Sequence, residues 1–433
     1  MNSLWREWGT EASKESLGTY LVCRMVPVRR QNVGVHWLTS GYFFAHIIDY
    51  QHCVRRSVGM RPGRIQDSAT ESGYQANMGK NYGSLLTLGP ARNDHWIALR
   101  TGIGVFVPLF GLLAVGRLDL MIFVIFGAFT GVYGRVPGYL NRLVAQSKAG
   151  ALFLAVILVA VLSSEFLVDH EDLVRGAWTI VILTTVVSGV CNVVTSYLQL
   201  RPGGSLFHIF AFAAIASMPT QPPMLESMVA ALAAVVLAII IGFSGSMLPG
   251  NQGWGERVQL PALSAKVRTA IWWESLFYLL AAGLAGTIAT LLAPVLSTGH
   301  SYWAMVAAVV PLVGHTTGLR VRRGLHRILG TLTGIVVMAA IIAFQPPIWV
   351  LLIVIGMLQV CAELFIARNY FIAQIFVTPL ALVGVSIGTG LSTKLLYDRV
   401  LETIIGAVVG VIVVLLGSLF GSWYKRRILP AQS

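Results

Sequence analysis

SYWAMVAAVVPLVGHTTGLRVRRGLHRILGTLTG, residues 301–334, carries an apolar span into a short basic stretch and straight out into a second apolar span. A looser counterpart, DLMIFVIFGAFTGVYGRVPGYLNRLVAQSKAG, occupies 119–150. Span, basic turn and span, once in each half of the chain, read as a duplicated membrane unit. Many secondary transporters are built on such internal repeats.

The composition agrees. Of 433 residues, 56% are hydrophobic and 11% charged, where a soluble domain has roughly 25% charged. A soluble fold of this size needs more charge to cover its core. The formal charge of +13 sits in short turns between apolar runs, as orientation of membrane helices requires. The lipid bilayer, and not nucleic acid, is therefore the expected surroundings. Cys23, Cys53, Cys191 and Cys361 form no CxxC pair and no metal spacing, so no disulfide framework is indicated. No P-loop, dinucleotide loop, nucleophile triad or metal motif occurs, and neither a cofactor nor enzyme chemistry is expected.

From about residue 96 the chain reads as twelve apolar spans. Six lie at 97–115, 119–134, 147–163, 175–196, 204–219 and 224–247, and six more at 269–292, 301–319, 328–344, 346–364, 369–388 and 397–420. The implied organisation is a polar extension 1–77, a first membrane repeat 78–247, a connector 248–268, a second repeat 269–424 and a basic tail 425–433. Turns after even-numbered spans, with the tail, hold fifteen Lys or Arg; turns after odd-numbered spans hold four, Arg117, Arg175, Lys394 and Arg399. That bias puts both termini in the cytoplasm. An even number of spans per half gives the halves one orientation. The expected fold is an all-α polytopic protein of the cell membrane, about twelve transmembrane helices in two parallel six-helix repeats. Residues 1–77 carry no signal-peptide pattern; they read as an extension, or as a translation start placed too early, with Met78 the natural one.

Two spans in corresponding positions are weakened. The second has Gly127, Gly131 and Gly134; the eighth has Pro311, Gly314 and Gly318 around His315, Thr316 and Thr317. Proline removes a backbone donor, and freed backbone groups at membrane depth are tolerated where they line a cavity or are buried in protein. Paired interruptions point to a transport site; a kink that serves packing is the alternative. In RVRRGLHR, Arg320, Arg323 and Arg327 share one helical face. The planar guanidinium fork suits carboxylates, although the orientation bias alone also predicts arginine here. Arg142 is the counterpart in the first half. These arginines would attract an anion, with Thr316 and Thr317 beside them, and Trp303 or Tyr133 would stack on an aromatic ring. His315 or Glu274 would carry a coupling proton; a structural histidine, and a pair of Glu274 with Arg100 or Arg268, stay open. Four GxxxG pairs, Gly127/Gly131, Gly330/Gly334, Gly384/Gly388 and Gly406/Gly410, favour close helix approach.

Tyr302-Trp303, the basic run Arg320 to Arg327, and Arg327-Ile-Leu-Gly330-Thr331 followed by Gly334 resemble the fusaric acid resistance and aromatic acid exporter family. Trp96 to Arg100, Gly127, Arg142, Gln146 and Gly150 resemble it more loosely in the first half. The likeness implies export of aromatic carboxylic acids or related small organic anions from a bacterial cytoplasm, driven by protons. It also suggests a homodimer, for which spare GxxxG faces are available. Plant aluminium-activated malate channels look distantly similar, so an anion channel with the same basic vestibule is the main rival. A structural partner of an envelope complex is another. Many relatives carry sizeable soluble domains; here a short connector and tail stand in their place.

Overall fold

The computed structural model describes residues 86–90, 94–135, 138–245, 262–314, 316–390 and 392–428. The expected extension 1–77, most of the connector, and His315 lie outside the described residues. Among the described residues there is no strand. The helices are α1 (Asp94–Ala114), α2 (Met121–Ala128), α3 (Tyr139–Phe166), α4 (Leu173–Tyr197), α5 (Leu206–Ala216) and α6 (Met224–Ser244). They continue with α7 (Ala265–Leu296), α8 (Tyr302–Val309), α9 (Thr317–Phe344), α10 (Ile348–Ile366), α11 (Tyr370–Thr389) and α12 (Thr393–Ile428). Short 3-10 turns, Leu118–Leu120 and Phe129–Gly134, flank α2.

Local chemistry sets several of the starts. Asp172, Ser264, Thr316 and Asn369 each accept from a backbone N–H in the first turn of the helix that follows, satisfying donors that a helix start leaves orphaned.

Nine of the helices are long and apolar enough to cross a membrane among the described residues: α1, α3, α4, α6, α7, α9, α10, α11 and α12. Their outer faces are as oily as a core. Val159, Ile182, Leu284, Val336, Met357 and Leu416 are all exposed. Facing water, such surface would cost about 25 cal/mol per Å²; facing acyl chains it costs nothing. With backbone hydrogen bonds satisfied inside each helix, this is a multi-pass membrane protein.

The packing partners of the first six helices recur in the second six. In the first, α1 packs on α2 and α6, α2 on α6, α3 on α5 and α6, and α4 on α5. In the second, α7 packs on α8 and α12, α8 on α12, α9 on α11 and α12, and α10 on α11. The contacts between the sets are reciprocal too: α1 meets α10 while α4 meets α7, and α2 meets α11 while α5 meets α8.

The two spans expected to be weak are broken. α2 and α8 are eight residues each. After α2 the backbone tightens into the 3-10 turn Phe129–Gly134; after α8 it leaves the helix through Pro311 and Gly314. The expected eighth span, 301–319, is thereby corrected: only Tyr302–Val309 is its helix. The basic run is corrected as well. It does not form a turn but the first turns of α9, because Thr316 Oγ1 accepts from Leu319 N at 3.3 Å and restarts the helix there. Arg399 likewise lies inside α12, not before it, since that helix starts at Thr393 behind Ser392, whose hydroxyl accepts from Lys394 N at 3.2 Å.

Two of the GxxxG pairs are used within the chain. A Cβ on Gly406 or Gly410 would collide with the carbonyls of Ala304 and Ala308 on α8. One on Gly330 would meet Gln374 Cβ at 2.6 Å on α11. These two faces are occupied within the chain.

Candidate functional site

A cavity of about 120 Å³ opens between the two sets of helices. Most of its wall is apolar: Ile125, Phe126 and Phe129 from the second span, Phe207 and Phe210 from α5, and Val306 from α8. Phe126 meets Phe210 edge-on at 5.3 Å, and Phe129 meets Phe207 at 5.6 Å. Edge-to-face rings hold one another in place and make this side of the cavity apolar. The polar part of the wall comes from Arg327 on α9, Gln359 and Glu363 on α10, Tyr370 and Gln374 on α11, and Arg399 on α12.

Arg327 is 3% exposed and Arg399 1%. Nη1 of Arg327 donates to Gln374 Oε1 at 2.9 Å and to the Tyr370 hydroxyl at 3.4 Å. Gln374 is held in turn by donation to Thr378 Oγ1 at 3.0 Å and Thr331 Oγ1 at 3.3 Å. The other donors of Arg327, Nε and Nη2, find no partner. Arg399 lies over the Trp303 ring, 5.0 Å from its centroid, and its Nε and Nη1 are also without partners. Neither guanidinium joins an ion pair among the described residues. Glu363, the carboxylate on the wall, is already committed: Arg135 Nη2 is 2.8 Å from its Oε2 and Arg135 Nη1 3.2 Å from Asp94 Oδ1.

An unpaired buried charge costs several kcal/mol, because its solvation is lost and nothing replaces it. Two of like sign bordering one cavity repel each other as well. The arrangement becomes favourable when an anion enters and takes the free N–H donors in charge-assisted bonds. The apolar rings opposite leave room for an aromatic or alkyl body.

Of the residues singled out from the sequence, Arg327 lines this cavity, and Arg323 stands next to it with its guanidinium 5.5 Å from the Tyr370 ring. The others lie elsewhere. Arg320 Nε donates to the Gly314 carbonyl at 2.9 Å. Arg142 donates through Nε to the Gly134 carbonyl at 3.0 Å and through Nη1 to the Gly242 carbonyl at 2.9 Å. Thr316 caps α9, and Thr317 donates to Ser418 Oγ at 3.3 Å. Trp303 is fully buried, its ring stacked on His300 at 4.7 Å and beneath Arg399. Tyr133 is buried against Phe153 at 6.0 Å. Glu274 sits on α7, away from the cavity, in the electrostatic reach of Arg320. Arg399, Gln359 and Gln374 were not singled out. A glutamine in an otherwise apolar span was the available signal for two of them, and the Ser392-Thr393 helix start the signal for Arg399.

Residues 288–413 match a family model described as Fusaric acid resistance protein-like. The matched stretch contains both Arg327 and Arg399. Over 131 residues, 30% of this chain, the sequence is 32% identical to the Uncharacterized membrane protein YvaC of Bacillus subtilis (strain 168). That alignment spans 21% of the relative's own length. No solved structure matches. Over residues 288–413 the chain is thus similar to the fusaric acid resistance protein-like family, and the resemblance first carried by residues 301–334 extends over that stretch.

Proposed function

We propose that the chain is a secondary transporter that exports small organic anions, aromatic carboxylates foremost, across the cell membrane. The observation that carries this reading is the pair of buried guanidinium groups, Arg327 and Arg399, with unpartnered donors on the wall of an aromatic cavity. The aromatic wall fits the organic body and the arginines fit the carboxylate.

The two six-helix sets are internal repeats in parallel orientation, with both termini in the cytoplasm. Support comes from the recurring helix partners and from the fifteen-to-four bias of basic residues. The cavity lies on the seam between the sets, and rocking of one against the other exposes it to each side in turn. Transport is coupled to protons. The basic face of α9, with Arg320 and Arg323, draws anions toward the seam.

The test is flux of labelled benzoate in proteoliposomes, with a pH gradient and a voltage imposed separately. The expected result is net benzoate movement driven by the pH gradient alone, lost in Arg327→Ala and Arg399→Ala. Voltage-driven movement indifferent to the pH gradient would favour the channel. Normal coupled flux in both variants, each monodisperse in detergent, would refute the site.

A further inference from the structure

The start of α12 and the turn before α8 bring together groups that the anion site leaves unused. His300 Nδ1 lies 2.9 Å from Asp398 Oδ2, and the same oxygen accepts from Gly299 N at 3.2 Å. The backbone N–H of His300 donates to Glu402 Oε1 at 3.3 Å. Asp398 and Glu402 are completely buried, and each keeps one oxygen, Oδ1 and Oε2, without a partner. His300 is partly open to solvent, its side chain 29% exposed. It therefore joins the buried carboxylates to water at that end of the bundle. Its ring also stacks on Trp303, the ring that lies under Arg399.

We propose that His300, Asp398 and Glu402 form a proton-binding site whose occupancy sets the anion affinity of Arg399. This rests on the reading of the cavity as an anion site. His300 takes a proton from water and passes it to a free carboxylate oxygen, Asp398 Oδ1 or Glu402 Oε2, and the same proton returns by that route. With the carboxylates ionised, their charge opposes an anion arriving at Arg399. Protonation removes that opposition and leaves the guanidinium charge for the ligand. Proton and anion therefore bind together, and export runs down the anion's own gradient with a proton carried out beside it.

The other titratable and charged groups around the pair leave that sign unchanged. Tyr302 on α8 is in electrostatic reach of both Glu402 and Arg399, while Arg327 on α9 and Tyr370 on α11 are in reach of Arg399. On α7 the titratable residues Lys266, Arg268, Glu274 and Tyr278 all precede residue 279. The helix then runs on for about 27 Å before the turn that holds His300. Arginine and tyrosine side chains ordinarily titrate well above the range of a carboxylate and an imidazole.

The probe is benzenesulfonate, which stays ionised throughout, so any pH dependence of its binding belongs to the protein. Binding to the purified full chain in detergent is measured calorimetrically in buffers of different ionisation heat. The expected result is proton uptake with each anion, with affinity rising as pH falls, by at most about tenfold per pH unit for one linked proton. Asp398→Asn and Glu402→Gln bind the anion with that dependence reduced or lost. Unchanged proton uptake in both variants, or affinity that rises with pH in the wild type, overturns the proposal. A separate infrared titration without anion follows the carbonyl band of the protonated carboxyl. If benzenesulfonate does not bind the wild type but this band is lost in Glu402→Gln, the proton site stands and the anion reading falls. If the band is unchanged in both variants, the proton site falls, whatever the anion does.

Discussion

Nε of Arg320 donates to the carbonyl oxygen of Gly314 at 2.9 Å, closing the end of the broken second span in its half. Arg142 makes the same bond to Gly134 at 3.0 Å in the other half. Both arginines are the fourth residue of a 28-residue helix. A break in a membrane span orphans carbonyls that water cannot reach, and in each half an arginine from the next helix supplies a charged donor.

Arg320→Ala and Arg142→Ala should therefore destabilise the fold, each by about 1–3 kcal/mol, since a part-buried carbonyl loses its donor. Thermal unfolding in detergent checks this. A double variant losing much less than the sum would show that the two breaks are not held independently.

Arg327→Met should act in the opposite direction on stability. It removes an unpaired buried charge and leaves a side chain of similar reach, so the anion-free protein should gain about 1–4 kcal/mol. The same variant should lose the stabilisation that a bound anion gives the wild type, about 2.7 kcal/mol at a hundred times Kd. Melting curves with and without benzoate separate the two effects.

Gly406→Val should push α12 off α8, because its Cβ meets the Ala304 carbonyl and a backbone atom cannot step aside. A loss of about 1–3 kcal/mol or more is expected. Gly111→Ala on α1, where nothing lies within 4 Å of the new carbon, should be neutral or gain up to about 1 kcal/mol. If both glycines tolerate substitution equally, the α8–α12 contact is looser than described.

At the end of the bundle bearing Arg117, the guanidinium binds Asp119 through Nε at 3.0 Å and Nη2 at 2.9 Å, and also reaches Glu226 on α6. The hydrogen bond from Arg117 holds the Asp119 carboxyl below its ordinary range. A depressed folded-state pKa contributes stability above the unfolded pKa and loses it as pH falls through the folded one. The Tm gap between wild type and Asp119→Asn should accordingly be present at neutral pH and close in acid. The pair is exposed and salt-screened, so the gap should be small and shrink further at high ionic strength.

Much of the fold was legible because lipid imposes a simple rule: long apolar runs become helices. The two broken spans were legible too, from Gly134 and from Pro311 with Gly314, although Pro108, Pro294 and Pro379 lie inside helices that run on through them. The site was legible only in part. Arg327 was found from its helical face, yet Arg142 and Arg320, equally plausible by residue type, bind backbone carbonyls instead. Nothing in a linear sequence tells a ligand's donor from a carbonyl's donor. Arg399 was counted as a turn charge although the expected span, 397–420, already contained it; the helix starts four residues earlier still, at Thr393. Trp303 looked like a stacking surface for substrate, and its ring is taken by His300 and Arg399. Contacts such as that join residues about a hundred positions apart, and no periodicity reports them.

The unpaired guanidiniums have an electrical consequence. A charge held within the bilayer feels the transmembrane voltage, at about 2.3 kcal/mol per elementary charge per 100 mV for a full crossing. Empty, the cavity carries two such charges from Arg327 and Arg399. An anion that enters alone cancels part of that charge, whereas an anion that enters with a proton leaves it as it was. Proton-linked loading therefore keeps the voltage sensitivity of reorientation the same in the loaded and the unloaded protein.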